Sequence, residues 1–360
     1  MRRVPIVLLG PGAVGRALLG QLVAARRHHA EQLALRLAVI AVADRDAAVL
    51  APSGELADGD LTALLDLKAA GGRLAAHPWA QPRTAVATGS RAGFDAAPIV
   101  VDTTAADTAA ELLALRRHGW RVALANKLPL TGDRATFAEL TRSGRGARWE
   151  TTVGAALPVI AALQTRLDSG DRIHRISGTL SGTLGYVAKR LEEGGRLAAV
   201  VAEASQLGYL EPDPRTDLSG RDAARKTLIL ARMLGYELEL PDVVVEGLYP
   251  PAWDELPVDA FLHRLPELDD ALTTRSAAAA RAGRALRFIA TIEGESARAG
   301  LDEVDPASRL AVVGATDSIV IFETDHFRAN PLVISGRGGG PEITAAGVLG
   351  DIVSLAREEG

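Results

Sequence analysis

Residues 4–9 form an almost unbroken apolar run, the pattern of a strand buried on both faces of a parallel sheet. The run meets Gly10-Pro11-Gly12-Ala13-Val14-Gly15, after which Val14, Leu18, Leu19, Leu22 and Val23 recur at helical spacing. Further apolar runs at 37–43, 98–101 and 122–125 end in Asp44, in Asp102-Thr103-Thr104 and in Asn126-Lys127. Helices are predicted over 61–67 and 107–118, the second stopped by Gly119. Gly71-Gly72, Pro78, Pro82 and Gly89 mark loops between these elements.

Beyond Trp149-Glu150 the rhythm changes. Residues 154–167 read as a helix with Pro158 near its start, 173–180 as a strand, and Gly182-Thr183 opens another helix. Strand-like runs recur at 286–292, 310–313 and 318–322, the first preceded by a helix over 276–285. Glycines at 336–340 break the chain before an apolar helix over 343–355. The expectation is an α/β protein: an N-terminal Rossmann-type parallel sheet over 1–149, then a second α+β domain over 150–340 with an antiparallel or mixed sheet. The closing segment, about 341–360, is expected to pack back on the first domain.

The stretch from Gly208 to Lys226, GYLEPDPRTDLSGRDAARK, carries six acidic or basic side chains in its first fifteen residues and then runs into an apolar helix. Pro212 and Pro214 resist helix at its start. Asp217 or Ser219 is placed to cap a helix beginning at Arg221. Asp222 and Lys226, four apart, share one face of that helix. Leu228, Ile229, Leu230, Met233 and Leu234 bury it, and Gly235 ends it. The plainest reading of such a pair is a solvated surface contact.

Composition narrows the chemistry. With 360 residues the chain exceeds one ordinary core. A net charge of −5 offers no basic field for nucleic acid or an anionic membrane. No apolar run approaches the roughly 20 residues of a membrane helix, so a cytoplasmic protein is expected. There is no cysteine, which removes disulfides, thiolate metal sites and any cysteine nucleophile. The seven histidines show no paired metal spacing.

The glycine motif sits between a strand and a helix, the context in which it binds a dinucleotide. Its glycines allow a tight turn and close approach of a pyrophosphate, and the helix N-terminus supplies amide donors. Asp44, at the end of the second strand, is placed for ribose hydroxyls and favours NAD. Arg45 beside it is placed for a 2′-phosphate, so NAD and NADP both stay open. The polar groups at three strand ends, Asp44, 102–104 and 126–127, fall where α/β sheets bind ligands.

Six stretches together resemble one known family, homoserine dehydrogenase, in a short form without a C-terminal regulatory domain. They are GPGAVG, LANKLPL, ETTVGAALPVI, ISGTLSGTLGYV, GYLEPDPRTDLSGRDAARK and GGGPEITAAGVLGDIV, in the family's order from residue 10 to residue 353. The resemblance implies interconversion of L-homoserine and L-aspartate 4-semialdehyde with NAD or NADP. It implies Lys226 as acid/base and Lys127 as a second lysine near the reacting oxygen and the nicotinamide. Glu211 and Asp222 become substrate-binding carboxylates, with Asp217 and Gly208 close by. Gly10, Gly12, Ala13, Val14, Gly15, Asp44, Arg45, Thr103, Thr104, Lys127 and Gly340 become the cofactor-binding set. Glu150 and main-chain oxygens of Val153, Ala155 and Leu157 match a monovalent-cation site, sodium in the family. A homodimer through the second domain is implied as well. Gly185, Gly339 and Pro341 depart from the family's usual residues, near the cofactor. Phosphorylating aspartate-semialdehyde dehydrogenase is excluded by the lack of cysteine. A dehydrogenase of another amino-acid aldehyde, or a non-catalytic NAD(P) sensor, are the competing readings.

Overall fold

A computed structural model of the chain describes residues 1–88, 95–142, 145–314 and 317–358. The loop marker Gly89 lies outside the described residues. The chain divides into two compact units: Met1–Ala156 with Gly340–Gly360, and Leu157–Gly339.

The first unit holds a seven-stranded sheet in the order β4-β3-β2-β1-β5-β6-β7. Its strands are β1 (Arg2–Leu9), β2 (Leu35–Ala43), β3 (Ala47–Leu50), β4 (Ala80–Pro82), β5 (Ile99–Asp102), β6 (Arg121–Leu124) and β7 (Ala147–Arg148). β2, β1, β5, β6 and β7 run parallel, and the central β1, β2 and β5 are the continuously apolar ones. β3 and β4 add on antiparallel. The helix Ala13–Ala24 buries Leu18, Leu19 and Leu22 against β1 and β2. The closing helix Pro341–Arg357 puts Ala345, Val348, Ile352, Leu355 and Ala356 into the same core.

The second unit is α+β. Its six-stranded sheet has the order β13-β12-β8-β10-β11-β9, from β8 (Ile173–Thr179), β9 (Val244–Val245), β10 (Ala285–Glu293), β11 (Ser296–Val304), β12 (Asp317–Thr324) and β13 (Leu332–Arg337). The sheet is antiparallel except where β9 pairs with β11. Helices Gly182–Glu192, Leu197–Gln206 and Arg221–Met233 cover one side, packing Leu184, Val187, Val200 and Ala223 with Phe288 and Leu301.

Several expectations are corrected. Residues 310–313 are not a strand: Arg309–Val312 is a helical turn that buries Leu310 and Ala311 under β10 and β12. A four-residue apolar run carries too little periodicity to tell the two apart. The helix expected over 154–167 is two pieces, Thr151–Gly154 and Val159–Asp168. Ala155 breaks it at φ 54°, ψ −111°, and Pro158 caps the second piece instead of lying inside it. The helix expected over 276–285 runs earlier, Asp269–Arg281, because Ala285 already pairs with Val304 in the sheet.

Candidate active site

At the glycine loop the first unit presents bare backbone. Gly12 caps the helix Ala13–Ala24 with no side-chain bond, and the first turn carries no acidic residue. Its first amides are therefore unengaged by side chains and face positive potential outward. A Cβ at Gly12 would meet nothing within 4 Å, whereas one at Gly15 would lie 2.3 Å from the Gly10 carbonyl oxygen. One glycine leaves room for a phosphate, and the other lets helix and strand touch. Thr103 locks this loop from beneath, its hydroxyl donating to the carbonyls of Leu9 (3.0 Å) and Gly10 (2.6 Å).

Gly10, Gly12, Asp44, Arg45 and Thr104 line one cavity of about 640 Å³, together with Arg16, Asp46, Lys68, Gly71, Gly72, Arg73 and Arg83. Ala13 lines a shallower neighbouring depression. Val14, Gly15, Thr103, Lys127 and Gly340 are outside the lining of this cavity. Asp44 does not reach out from its strand end. Its Oδ1 accepts the amides of Asp46 (3.0 Å) and Ala47 (3.1 Å), and its Oδ2 accepts Lys68 Nζ and the Leu74 amide, each at 3.4 Å. Burial works to raise its pKa, but these bonds outweigh it and hold the group below the usual carboxylate range.

The ends of β5 and β6 are tied by one buried carboxylate. Asp102, fully buried, accepts the Thr104 amide (2.9 Å), the Thr108 hydroxyl and Asn126 Nδ2 (3.0 Å). Asn126 also donates to the Ala106 carbonyl (2.7 Å), and its own Oδ1 accepts the Leu128 amide (3.0 Å). Lys127 stands between these bonds and caps the short helix Leu128–Thr131. Burial pushes the Asp102 carboxyl up despite its partners. Gly340 caps the closing helix at φ 102°, and its carbonyl takes the Thr344 hydroxyl at 2.9 Å.

In the second unit, the helix Arg221–Met233 begins at Gly220, in the left-handed region at φ 74°. Gly220 takes the N-cap position in place of Asp217 or Ser219, while Ser219 Oγ accepts the first helix amide, that of Arg221, at 3.3 Å. Asp217 sits in the preceding turn Arg215–Leu218, and a side chain at 220 would crowd Val245 (3.0 Å) and Phe288 (3.1 Å). Lys226 is largely buried, its side chain 12% exposed. Its Nζ pairs with Asp222 at 2.9 Å and donates to the Leu180 carbonyl, at the end of β8, at 2.6 Å. An ammonium has three donors, so one is left over.

The acidic loop is braced around this lysine. Asp217 Oδ2 accepts the Glu211 amide at 2.9 Å, fixing the backbone of Glu211. Burial pushes the Asp217 carboxyl up, with the charges of Glu211 and Asp222 adding to it, while the Glu211 amide and the Thr183 hydroxyl pull it down. Thr183 also donates to the Tyr209 carbonyl at 2.8 Å. Gly208, at φ 72°, turns the chain out of the helix Leu197–Gln206 into this loop. Arg215 forks onto Asp213 and reaches the Asp254 carbonyl at 2.7 Å. Lys226, Asp222, Asp217 and Glu211 thus share one neighbourhood. Thr183 and the Leu180 carbonyl join it without having been singled out, although both lie in ISGTLSGTLGYV.

Glu150, Val153 and Ala155 belong to the first unit, and Leu157 is the first residue of the second. The Glu150 amide donates to Asp351 Oδ2 at 3.1 Å. Burial, then the Glu150 charge, pushes Asp351 up to about 8. Among the described residues, no group of three or more His, Cys, Asp or Glu could hold a metal ion. No described helix is long and apolar enough to cross a membrane.

A family model described as homoserine dehydrogenase matches residues 158–353. A bifunctional aspartokinase/homoserine dehydrogenase of Haemophilus influenzae is 40% identical over 262 residues, 71% of this chain and 32% of that protein. The chain thus spans about a third of that relative. A homoserine dehydrogenase of Emericella nidulans is 34% identical over 256 residues, 66% of this chain and 70% of its own length. Among solved structures, a hyperthermophilic archaeal homoserine dehydrogenase in complex with NADPH shares the fold, with a TM-score of 0.74 at 23% identity over 98% of this chain and 97% of the other. This chain belongs to the homoserine dehydrogenase family.

Proposed function

We propose that the chain interconverts L-homoserine and L-aspartate 4-semialdehyde, with NAD or NADP as the hydride carrier. The observation that supports this best is Lys226. It is held on two sides by Asp222 and the Leu180 carbonyl, with one donor left, among carboxylates braced to receive an ammonium.

When bound, NAD or NADP would supply or take up the hydride at the terminal carbon of the substrate. Uncapped helix amides, the open Gly12 and a cavity of about 640 Å³ fit its phosphates and adenosine, so Gly10, Gly12, Ala13 and Thr104 would hold it. During reduction, negative charge grows on the aldehyde oxygen. The remaining Lys226 N–H donates to that oxygen and passes it a proton, and in oxidation Lys226 takes the hydroxyl proton back. Lys127 is the second lysine, steadied by the Asp102–Asn126 network at its strand end. Glu211 pairs with the substrate's α-ammonium, and Asp217 acts by holding the Glu211 backbone in place. Asp222 aims Lys226 along the helix.

A monovalent cation, sodium, at Glu150 and the carbonyls of Val153, Ala155 and Leu157 is part of the proposal. The donors are all oxygen, as such ions take. The unusual backbone of Ala155 and the mutual repulsion of Glu150 and Asp351 are the features a cation would relieve. Its contribution would be charge balance and order. A homodimer through the second unit completes the reading, supported by the exposed Val244 and Val312 of that unit.

The test is absorbance of the reduced nicotinamide with L-homoserine and each coenzyme at alkaline pH. Lys226→Ala should lower kcat by about 10²–10⁴ with folding intact. Undiminished turnover in the variant would remove Lys226 from the chemistry. No turnover by the folded wild type with either coenzyme would end the homoserine reading.

A further inference from the structure

We infer that Arg215 is a positioning residue for the amino-acid end of the substrate: from the middle of the acidic loop it fixes where Glu211 stands, and so sets KM for L-homoserine. This rests on the proposed pairing of Glu211 with the substrate's α-ammonium. Glu211 is followed by Pro212, Asp213 and Pro214, and the two prolines remove two amide donors from the stretch. Its shape therefore leans on side chains. On one side, Asp217 Oδ2 accepts the Glu211 amide at 2.9 Å. On the other, Arg215 grips Asp213 with two parallel bonds, Nε to Oδ1 at 2.9 Å and Nη2 to Oδ2 at 2.7 Å. Arg215 Nη1 donates to the carbonyls of Asp254 (2.7 Å) and Leu256 (2.5 Å). All three guanidinium nitrogens are thus engaged, in a side chain only 15% exposed.

The anchor beyond those carbonyls is rigid. Residues 254–256 lie between Trp253 and Phe261, both buried, and Tyr249 packs edge-on against Phe261 with ring centres 4.9 Å apart. The Arg215 guanidinium itself sits over the Phe261 ring, 5.7 Å from its centre. A second tie joins the same segments: Asp254 pairs with Arg221, the first residue of the helix that carries Lys226, and accepts the Tyr249 hydroxyl at 2.7 Å. Lys226 is held by other bonds, to Asp222 and the Leu180 carbonyl. The two ends of the substrate are therefore served by separate anchors. A contact to the α-ammonium is made alike in the bound substrate and in the transition state, so weakening it raises KM and leaves kcat. Lysine at 215 keeps the charge, but one nitrogen cannot fork onto a carboxylate while reaching two carbonyls.

The experiment is steady-state oxidation of L-homoserine by the full chain, with coenzyme affinity measured by calorimetric titration. Arg215→Lys should raise KM for L-homoserine at least about tenfold, the loss of one well-placed charged contact, with kcat kept within about threefold. Coenzyme Kd should stay within about twofold, since the nucleotide cavity is lined by the first unit alone. Asp213→Ala, at a side chain 39% exposed, cuts the same fork from the loop side and keeps the test open should Arg215→Lys misfold. On a Glu211→Ala background, Arg215→Lys should add less than about twofold to KM, because its effect passes through Glu211. An unchanged KM in both Arg215→Lys and Asp213→Ala overturns the role. Losses spread evenly over KM, kcat and coenzyme binding, or the full rise in KM repeated on the Glu211→Ala background, reduce Arg215 to structural support and overturn it too. Failure of the folded wild type to turn over L-homoserine overturns the reading beneath, and the role with it; normal wild-type turnover confines any failure to Arg215.

Discussion

Two glycines on one helix should answer the same substitution with opposite signs. Gly15 and Gly20 both lie in Ala13–Ala24, and both can become alanine without changing helix propensity for the worse. At Gly15 the new methyl would stand 2.3 Å from the Gly10 oxygen and 3.0 Å from the Thr103 hydroxyl. A carbon and a carbonyl oxygen approach to about 3.3 Å, so helix and loop must part by about 1 Å. The obstacle is backbone, already clamped by Thr103, and Leu18, Leu19 and Leu22 are fully packed behind it. Overpacking of this kind costs about 1–3 kcal/mol, or roughly 3–10 °C of Tm for a unit of this size. Gly20 has nothing within 4 Å of its would-be methyl, so Gly20→Ala should gain about 0.5–1 kcal/mol. Thermal unfolding by circular dichroism, with and without nucleotide, reads both. Gly15→Ala should also weaken nucleotide binding, and Gly20→Ala should leave it unchanged. A Gly15→Ala protein that melts and binds like the wild type would refute the close-packing argument.

Asp217→Asn separates stability from function. The folded carboxyl is raised above its ordinary value near 3.8, mainly by burial. The native state thus holds its proton more tightly than the unfolded state. Nothing is lost below the unfolded value, stability falls as pH rises through the two values, and the full penalty persists above both. The variant should therefore melt higher than the wild type at neutral pH, with a flatter profile from pH 4 upward, while KM for homoserine rises; an unchanged pH profile would contradict this. Asp102→Ala removes the acceptor shared by the Thr104 amide, the Thr108 hydroxyl and Asn126 Nδ2, the last of which keeps the Ala106 carbonyl. It should cost about 2–5 kcal/mol in denaturant unfolding, and a loss below about 0.5 kcal/mol would show that the network is dispensable. Replacing sodium by choline at fixed ionic strength should lower Tm, by about 1.4 kcal/mol of linkage if sodium stood at ten times its Kd; identical melts would argue against the cation.

The elements legible in the sequence are those whose partners are local. The 4–9 run, the glycine turn and the helix after it declare themselves through continuous apolarity and helical spacing. Asp222 and Lys226 meet because four residues make one turn. What stayed hidden comes from afar. The Leu180 carbonyl that holds Lys226 is 46 residues away, and the donors that close off Asp44 include Lys68 and Leu74, at 24 and 30 residues. Asp44 read alone looks open to a ligand; its engaged oxygens show only once these neighbours are in place. Short strands such as β7 and β9, two residues each, carry no period to detect. β11 was missed because Gly300 and several charges interrupt its alternation, the glycine being needed where Glu246 Cβ would lie 2.8 Å from an added methyl.

The second unit is one continuous run, Leu157–Gly339, whereas the first is closed only by residues from 340 onward. A ribosome therefore delivers them in an inverted order of completion. The unit that begins first must wait, its sheet lacking the apolar stripe of Ala345, Val348, Ile352 and Leu355, while the later one has already emerged whole. Until residues 341–357 have emerged, the apolar face of β5 and β6 that they cover stays open, a natural client for a chaperone.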